Sequence, residues 1–328
     1  MNYRQIIAES WKYTQSNKRL IIWFGFLSCL LTTTVGVGYI AYQFFALKSS
    51  YLFSSEDHSF LSQVVGVIVD FVKLHLSLTI PLGVFVVIFA ILYFLYPTLA
   101  KAAAIQIIAR NKNGQKAGVG TGLRHGMMSF LPLLEYHFLI KTFSFFSILV
   151  EMSFVLRNLG PVLFKIFLPL FILLIIIGFV LTLLFTYTDF YIVIDNEPVF
   201  SAMKKSAKMV VMHWKYTFLI SILMLIIGLR IILQVIMVFL IPALIVLITG
   251  YLATVTLPVT GVIIGGIVGF VALLLAAYLT GIVEIFSYTV WTYTFLEVTQ
   301  EKDLSARESA EARTTVSHEV PEQSSSES

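Results

Sequence analysis

Two ionisable residues lie deep inside apolar segments of this 328-residue chain, and such residues are the first candidates for chemistry. Arg230 comes thirteen residues after Thr217, which begins one apolar segment, and Glu284 comes thirteen residues before Glu297, near the end of another. An unpaired charge at the centre of a bilayer costs several kcal/mol. At 1.5 Å per helical residue, both side chains fall roughly 20 Å from a shared boundary. The sequence predicts a structural ion pair, a polar cavity on a transport path, or a helix that ends before one of the two.

The segment 133–156 is the most polar of the apolar segments. It contains Glu135, His137, Lys141 and Glu151, and one helical turn separates His137 from Lys141. We expect Glu135 and His137 to meet water near the inner boundary. Lys141 lies deeper, so its ammonium must extend to the boundary or find a carboxylate.

The sequence gives little support for a metal-binding site, a nucleotide-binding loop or a catalytic nucleophile. No two of the six histidines are four residues apart, and no His-Glu-x-x-His sequence occurs. The glycine-rich loop at 114–122 lacks the Gly-Lys-Ser/Thr ending of a nucleotide-binding loop, and no Gly-x-Ser-x-Gly sequence occurs. The single cysteine, Cys29, permits no intrachain disulfide. We expect no cofactor, no metal and no catalytic site.

The elements that carry these residues are predicted to be transmembrane helices. Hydrophobic residues make up 58% of the chain and charged residues 12%, and the apolar runs are long enough to cross a bilayer. Backbone groups in lipid must be satisfied within a helix, which predicts an all-α, multi-pass protein. Its domain covers 1–299, with six spans at 20–46, 77–99, 133–156, 161–187, 217–242 and 259–290.

Lysine and arginine predict the orientation of these spans. Outside the amphipathic piece at 60–75 and the tail at 300–328, the N-terminal segment and the loops on one side carry thirteen basic residues, and the loops on the other side carry three. Positive loops stay in the cytoplasm, so both termini are predicted to be cytoplasmic in a cell (inner) membrane. The tail at 300–328 holds seven acidic and three basic residues with almost no large apolar side chains, so we expect it to be disordered.

Short amphipathic helices are predicted to lie at the inner interface before spans one, three and five. Before span five, Met203, Ala207, Val210 and Trp214 share one helical face, and lysines occupy another. Before span one, the face predicted from the same spacing carries Tyr3, Ile7, Trp11 and Thr14. The expected contacts to anionic lipid headgroups are Lys204, Lys205, Lys208, Trp214, Trp11 and Lys12.

Both of these helices contain Ser-x-Lys, at Ser10 and at Ser206. A weaker copy, interrupted by Gly126, precedes span three. The chain is therefore interpreted as three units, each an interfacial helix followed by a helical hairpin. In span six, Gly261, Gly265 and Gly269 form a tandem Gly-xxx-Gly motif, which predicts close helix packing within the chain or in a dimer.

Three stretches together resemble the membrane domain of glycerophosphoryl diester phosphodiesterases and its stand-alone, uncharacterised bacterial relatives. They are Glu9-Ser-Trp-Lys-Tyr-Thr14, the stretch 191–206 that begins Tyr-Ile-Val-Ile-Asp-Asn-Glu-Pro, and Tyr288-Thr-Val-Trp-Thr-Tyr-Thr-Phe-Leu296. The resemblance covers about residues 1–300. In that family, activity resides in a separate soluble barrel domain, which this chain lacks, so the resemblance implies no catalytic residue here.

The sequence favours a non-catalytic integral membrane module, a scaffold or accessory in lipid or envelope processes. The alternative is a small-molecule or lipid transporter that uses the polar groups of spans three, five and six. The expected partner is the bilayer itself, through anionic headgroups on the cytoplasmic side, with no nucleic acid.

Overall fold

A computed structural model describes residues 3–48, 66, 69–70, 72–141, 143–229, 236 and 258–318. Within these ranges, only the backbone is described at 3, 40–48, 76, 141, 145–146, 157–158, 258–265 and 301–318. The main helices, in chain order, are α1 (Tyr3–Ser16), α2 (Lys18–Leu20), a π-helical turn (Ile21–Phe26), α3 (Leu27–Lys48), α4 (Leu76–Lys112), α5 (Val119–Lys141), α6 (Phe145–Asn158), α7 (Gly160–Leu184), α8 (Thr188–Val193), α9 (Val199–Met212), α10 (Trp214–Leu229) and α11 (Pro258–His318).

Every regular element in the described part of the chain is a helix, which confirms the all-α prediction. Among the described residues, four helical segments are long and apolar enough to cross a membrane: Lys18–Tyr39, Ser77–Lys112, Gly160–Leu184 and Gly266–Gln300. Helices α9 and α10 meet at His213 with a bend of 97°, and they make a fifth candidate if the bent pair counts as one span.

The predicted third span is not one continuous helix. Helix α5 ends at Lys141 and α6 begins at Phe145, so the segment 133–156 is divided. Ser144 causes the new start because its backbone is extended and its Oγ accepts a hydrogen bond of 3.2 Å from the Ser147 N–H, which caps α6. The Phe143 carbonyl at this break lies against Gly178 of α7, where a Cβ would leave only 2.2 Å to the carbonyl oxygen.

The last helix is longer than its predicted span. Helix α11 continues through Gln300 to His318, so 300–318 is helical where composition predicted disorder. The physical reason is that this stretch is rich in Ala, Glu and Arg, which favour helix, and it extends a helix already nucleated by the membrane segment. The remaining tail, 319–328, lies outside the described residues.

Two buried clusters hold the helices together at the ends that carry most of the basic residues. In one, the aromatic side chains of α8 pack on α11, and the Tyr191 and Phe295 rings meet edge to face at 4.9 Å. In the other, α1 packs on α11, where Trp11 contacts Phe286 at 5.5 Å between ring centroids. Burial of such aromatic surface is the main stabilising term for these contacts.

Glycines allow the closest helix contacts, at positions other than those predicted. Gly25 in the π turn faces Gly281 of α11, and Gly122 and Gly126 of α5 lie against α4. A Cβ on Gly126 would stand 2.8 Å from the Ala103 backbone nitrogen. By contrast, a Cβ on Gly269 would meet no described atom within 4 Å. Gly261 and Gly265 belong to the same helix, but their surroundings lie outside the described side chains, so a contact through these three glycines stays a prediction.

Candidate functional site

A buried ion pair joins α4 to α8. The Lys101 ammonium donates a hydrogen bond to Asp189 Oδ2. The two side chains are 22% and 13% exposed, so both charges are largely removed from solvent. Lys101 interrupts the apolar sequence of α4. Asp189 lies in the first turn of the six-residue α8, whose other residues are mostly buried aromatic and aliphatic side chains.

His137 of α5 adds a third helix to this pair. His137 Nε2 lies 3.5 Å from Asp189 Oδ1, and His137 Nδ1 lies 3.4 Å from Thr98 Oγ1. The tautomer with its proton on Nε2 would direct that N–H toward Asp189 and leave Nδ1 to accept from the Thr98 hydroxyl. We name Thr98, Lys101, His137 and Asp189 the ionic cluster.

The environment of Asp189 determines its charge. Burial by itself raises the pKa of the Asp189 carboxyl, but the charge of Lys101 and the hydrogen bond from His137 oppose this effect. Their sum is larger, so the pKa of Asp189 lies below its usual range and the carboxylate is ionised at neutral pH.

A second polar group continues from the ionic cluster toward α3. The Lys101 nitrogen lies 5.7 Å from the centroid of the Tyr288 ring, within the range of a cation–π contact. The Tyr288 hydroxyl donates to Glu284 Oε1, and Cys29 Sγ lies 2.8 Å from Glu284 Oε2 as a thiol donor. Glu284 is therefore held by a phenol and a thiol on two different helices.

Thr98, His137 and Asp189 are arranged like the nucleophile, the base and the acid of a catalytic triad. The surroundings of these residues, however, disfavour catalysis. Lys101 already occupies the carboxylate. Thr98 lies inside a continuous helix, where backbone N–H groups point along the axis toward preceding carbonyls and cannot serve a developing oxyanion. The group is better described as a structural ion cluster.

Two cavities flank the His137–Asp189 contact. One, of about 350 Å³, opens between α4 and α5 and is lined by Thr98, His137 and aromatic side chains including Tyr93 and Phe138. The other, of about 420 Å³, lies between α5, α7 and α10 and is lined by Asp189 and Trp291 among others. Each volume falls in the range of small-molecule sites.

The residues predicted to lie inside the membrane have separate locations. Arg230 is outside the described residues, so its pairing with Glu284 stays a prediction. Lys141 is the last residue of α5, and its side chain is not described. Glu151 is exposed and lines an apolar groove of about 490 Å³ between α6 and α7, away from the ionic cluster. Only His137 and Glu284 belong to the polar groups described above.

The buried faces of the amphipathic helices overlap only in part with the predicted faces. In α9 the buried residues are Val199, Ala202, Ser206, Met209 and Val210, whereas Met203 and Ala207 are half-buried and Trp214 is 58% exposed. This face packs on α8 and not outward. The reason is that Ser206 is a packing residue: its Oγ accepts from the Tyr187 N–H at 3.0 Å and donates to the Leu184 carbonyl at 2.9 Å.

The same correction applies to α1. Its buried residues are Ile6, Ser10 and Thr14, and of the predicted face only Thr14 is among them. Trp11 is 45% exposed, and Lys12 is exposed. Lys204, Lys205 and Lys208 are also exposed, and Lys205 pairs with Glu197.

Sequence reasoning missed Asp189, Lys101 and Tyr288 as site residues. Lys101 entered only a count of loop charges, and Asp189 was not singled out. The available signal was one acidic residue in the aromatic stretch Tyr187-Thr-Asp-Phe-Tyr191, because an acidic side chain among large apolar residues needs a partner. Nothing in the local sequence indicated that the partner is 88 residues away.

No protein-family model matches this chain, and neither the curated proteins nor the solved structures that were searched contain a match. The resemblance carried by the three sequence stretches therefore stays a prediction.

Proposed function

We propose that the chain is a non-catalytic integral membrane module, a scaffold or accessory protein in lipid or envelope processes. The observation that carries the proposal is the ionic cluster, in which a lysine, an aspartate and a histidine from three helices lie together. Such a group fixes the relative positions of α4, α5 and α8, and its charges are engaged in holding the structure. The resemblance to the membrane domain of glycerophosphoryl diester phosphodiesterases and to its stand-alone bacterial relatives agrees with this role.

In this proposal the chain crosses a cell membrane six times with both termini in the cytoplasm. The divided α5–α6 segment serves as span three, and α10 begins span five, which continues beyond the described residues. The excess of basic residues at one set of loops and ends supports the orientation. The ionic cluster then lies near the cytoplasmic boundary, because Lys101 and Asp189 follow the inward ends of spans two and four.

The basic helix α9 is proposed to contact anionic headgroups with its exposed face. That face combines lysines with apolar side chains of large exposed area: Phe200 is 70% exposed and Val211 is 66% exposed. A surface with both components fits the boundary between headgroups and acyl chains. The other face of α9 packs on the protein. In this proposal the helix therefore attaches the module to the membrane surface while it stays packed against the rest of the protein.

Cysteine accessibility in intact cells tests the module. In a Cys29→Ser background, which retains a donor to Glu284, single cysteines replace Ile140, Ser221 and Glu284. We expect a membrane-impermeant maleimide to label none of them from either side. Lys116→Cys, in the proposed cytoplasmic loop, is the matched control and should react only after the cells are opened. Labelling of Glu284→Cys in intact cells would contradict a closed module.

A small-molecule or lipid transporter is the second candidate, and the cavity of about 420 Å³ favours it. The cavity lies among the helices assigned to spans three, four and five, where a transport path would need polar groups. A transporter requires access from both sides, so Ser221→Cys would react with the reagent from outside and, in inverted vesicles, also from inside.

A further inference from the structure

The cavity between α5, α7 and α10 has an unusual lining. Among the described residues that line it, Asp189 is the one charged side chain. Five aromatic side chains surround the rest of the space: Tyr136, Phe179, Phe185, Phe218 and Trp291. Aromatic faces carry partial negative charge and attract cations, as a carboxylate does.

The hydroxyl groups of the lining reinforce this preference. Thr182 Oγ1 donates to the Gly178 carbonyl at 2.8 Å, and Thr186 Oγ1 donates to the Leu183 carbonyl at 2.8 Å. Their protons are used within α7 and the turn after it, so they offer a ligand only oxygen lone pairs. The Tyr136 hydroxyl likewise donates to the Phe185 carbonyl at 3.2 Å. The cavity thus presents acceptors from several directions.

We propose that this cavity binds an amphiphile with an ammonium headgroup and a single alkyl chain. The ammonium would lie at Asp189 among the aromatic side chains, and the alkyl chain would lie along the aliphatic residues Leu183, Ile222 and Leu225. Ile222 and Leu225 are 41% and 65% exposed, so the chain could enter sideways from the lipid.

Lys101 does not reverse this preference. Its ammonium binds Asp189 from outside the cavity, beside the Tyr288 ring, and Lys101 is not a lining residue. The charged group that lines the cavity is therefore the carboxylate and not the lysine. An anionic headgroup would face Asp189 directly, so the expected order of affinity is ammonium, then neutral, then anionic.

Trp291 provides a direct readout, because the chain has only three other tryptophans, at 11, 23 and 214. These three are 45%, 53% and 58% exposed, and each can be replaced with Phe to leave Trp291 as the one emitter. The full-length protein in maltoside micelles is titrated with an alkyltrimethylammonium that carries bromine at its chain end. Bromine quenches tryptophan on contact, so we expect quenching that saturates.

Matched probes and variants make the test specific. The same brominated chain with a sulfate or maltoside head should bind roughly tenfold more weakly or worse, the ratio expected for one lost charge-assisted contact. Asp189→Asn should remove the difference between the heads. Because that variant could disturb the ionic cluster, Ser221→Phe is the second variant: it fills the cavity without touching the cluster and should abolish saturable quenching.

The proposal is overturned by quenching that rises linearly with probe, by equal affinity for the three heads, or by saturable quenching that survives Ser221→Phe. The measurement is made at equilibrium and involves no flux. Its failure would leave the non-catalytic module standing, and its success would not require that the amphiphile cross the membrane.

Discussion

The backbones of Gly25 and Gly281 are in direct contact: a Cβ built on Gly25 would stand 2.5 Å from the Gly281 carbonyl oxygen. The reverse is equally close, with 2.6 Å from a Cβ on Gly281 to the Phe26 nitrogen. Since both neighbours are backbone atoms, no side chain can move aside to make room. This contact fixes the first apolar helix against the last. It lies four residues before Cys29 on one helix and three residues before Glu284 on the other, and these two side chains form a hydrogen bond.

Gly281→Ala should therefore lower the free energy of unfolding by about 1–3 kcal/mol, the usual cost of overpacking a close contact. The measurement is thermal unfolding in detergent, followed by circular dichroism. Gly269→Ala, in the same helix, is the matched control. It meets open space and gains helix propensity, so it should be neutral or slightly stabilising. Equal losses for the two variants would argue against the Gly25–Gly281 contact.

Removing one partner of the buried ion pair should be worse than removing both. Lys101→Met leaves the Asp189 carboxylate buried and should cost about 3 kcal/mol. Combining it with Asp189→Leu should cost less than the sum of the single changes, by about 1–3 kcal/mol. The exposed pair of Lys112 and Glu9 is the control, where the coupling should be below about 1 kcal/mol. Additive losses at Lys101 and Asp189 would show that the pair contributes nothing.

The contribution of Asp189 should disappear in acid. The pKa of its carboxyl is lower in the folded protein than the usual 3.8, so its ionised form stabilises the fold above that value. Below it the unfolded chain takes up a proton first, and the stabilisation declines. The difference in Tm between wild type and Asp189→Asn should be constant from about pH 8 to 5 and narrow below about pH 4. A difference that widens on acidification would reverse the assigned sign.

The two serines of the Ser-x-Lys stretches should respond differently to alanine. Ser206 bridges the Tyr187 N–H and the Leu184 carbonyl, so Ser206→Ala should cost about 1–3 kcal/mol through unsatisfied backbone groups. Ser10 is also buried, but its hydroxyl has no partner among the described atoms, so Ser10→Ala should be close to neutral. Both variants are compared by Tm. A large loss at Ser10 would show that the two serines have equivalent structural roles.

Reporter fusions test the orientation of the chain. A reporter after Ser328 or within the loop at 113–118 should behave as cytoplasmic, and one near Ser55 as external. Alkaline phosphatase and green fluorescent protein, which are active on opposite sides, give complementary signals at each position. An external signal after Ser328 would contradict six spans.

The sequence predicted the helical class and the candidate spans at Lys18–Tyr39 and Gly160–Leu184, because long apolar runs have one physical solution in lipid. It did not predict the break at Ser144. A long apolar run favours a continuous helix, and the helix start at Ser144 is favoured over it where α7 packs against the break. The sequence did not predict which face of α9 is buried, because Ser206 is a polar residue whose partners, the Tyr187 N–H and the Leu184 carbonyl, come from another part of the chain. The Lys101–Asp189 pair depends on folding across 88 residues, which no local pattern encodes.

The π-helical turn at Ile21–Phe26 gives the first apolar helix one residue more than a continuous α-helix would hold. Bonds in a π turn span five residues, so the turn holds one residue more than the α-helix on either side. If the π turn moved along the helix by one position, the preceding residues would rotate by about 100° and advance by about 1.5 Å. Gly25 lies inside the turn, so such a step would take it away from Gly281. The close fit of Gly25 against Gly281 therefore holds the π turn, and with it the faces that the preceding residues present, in one register.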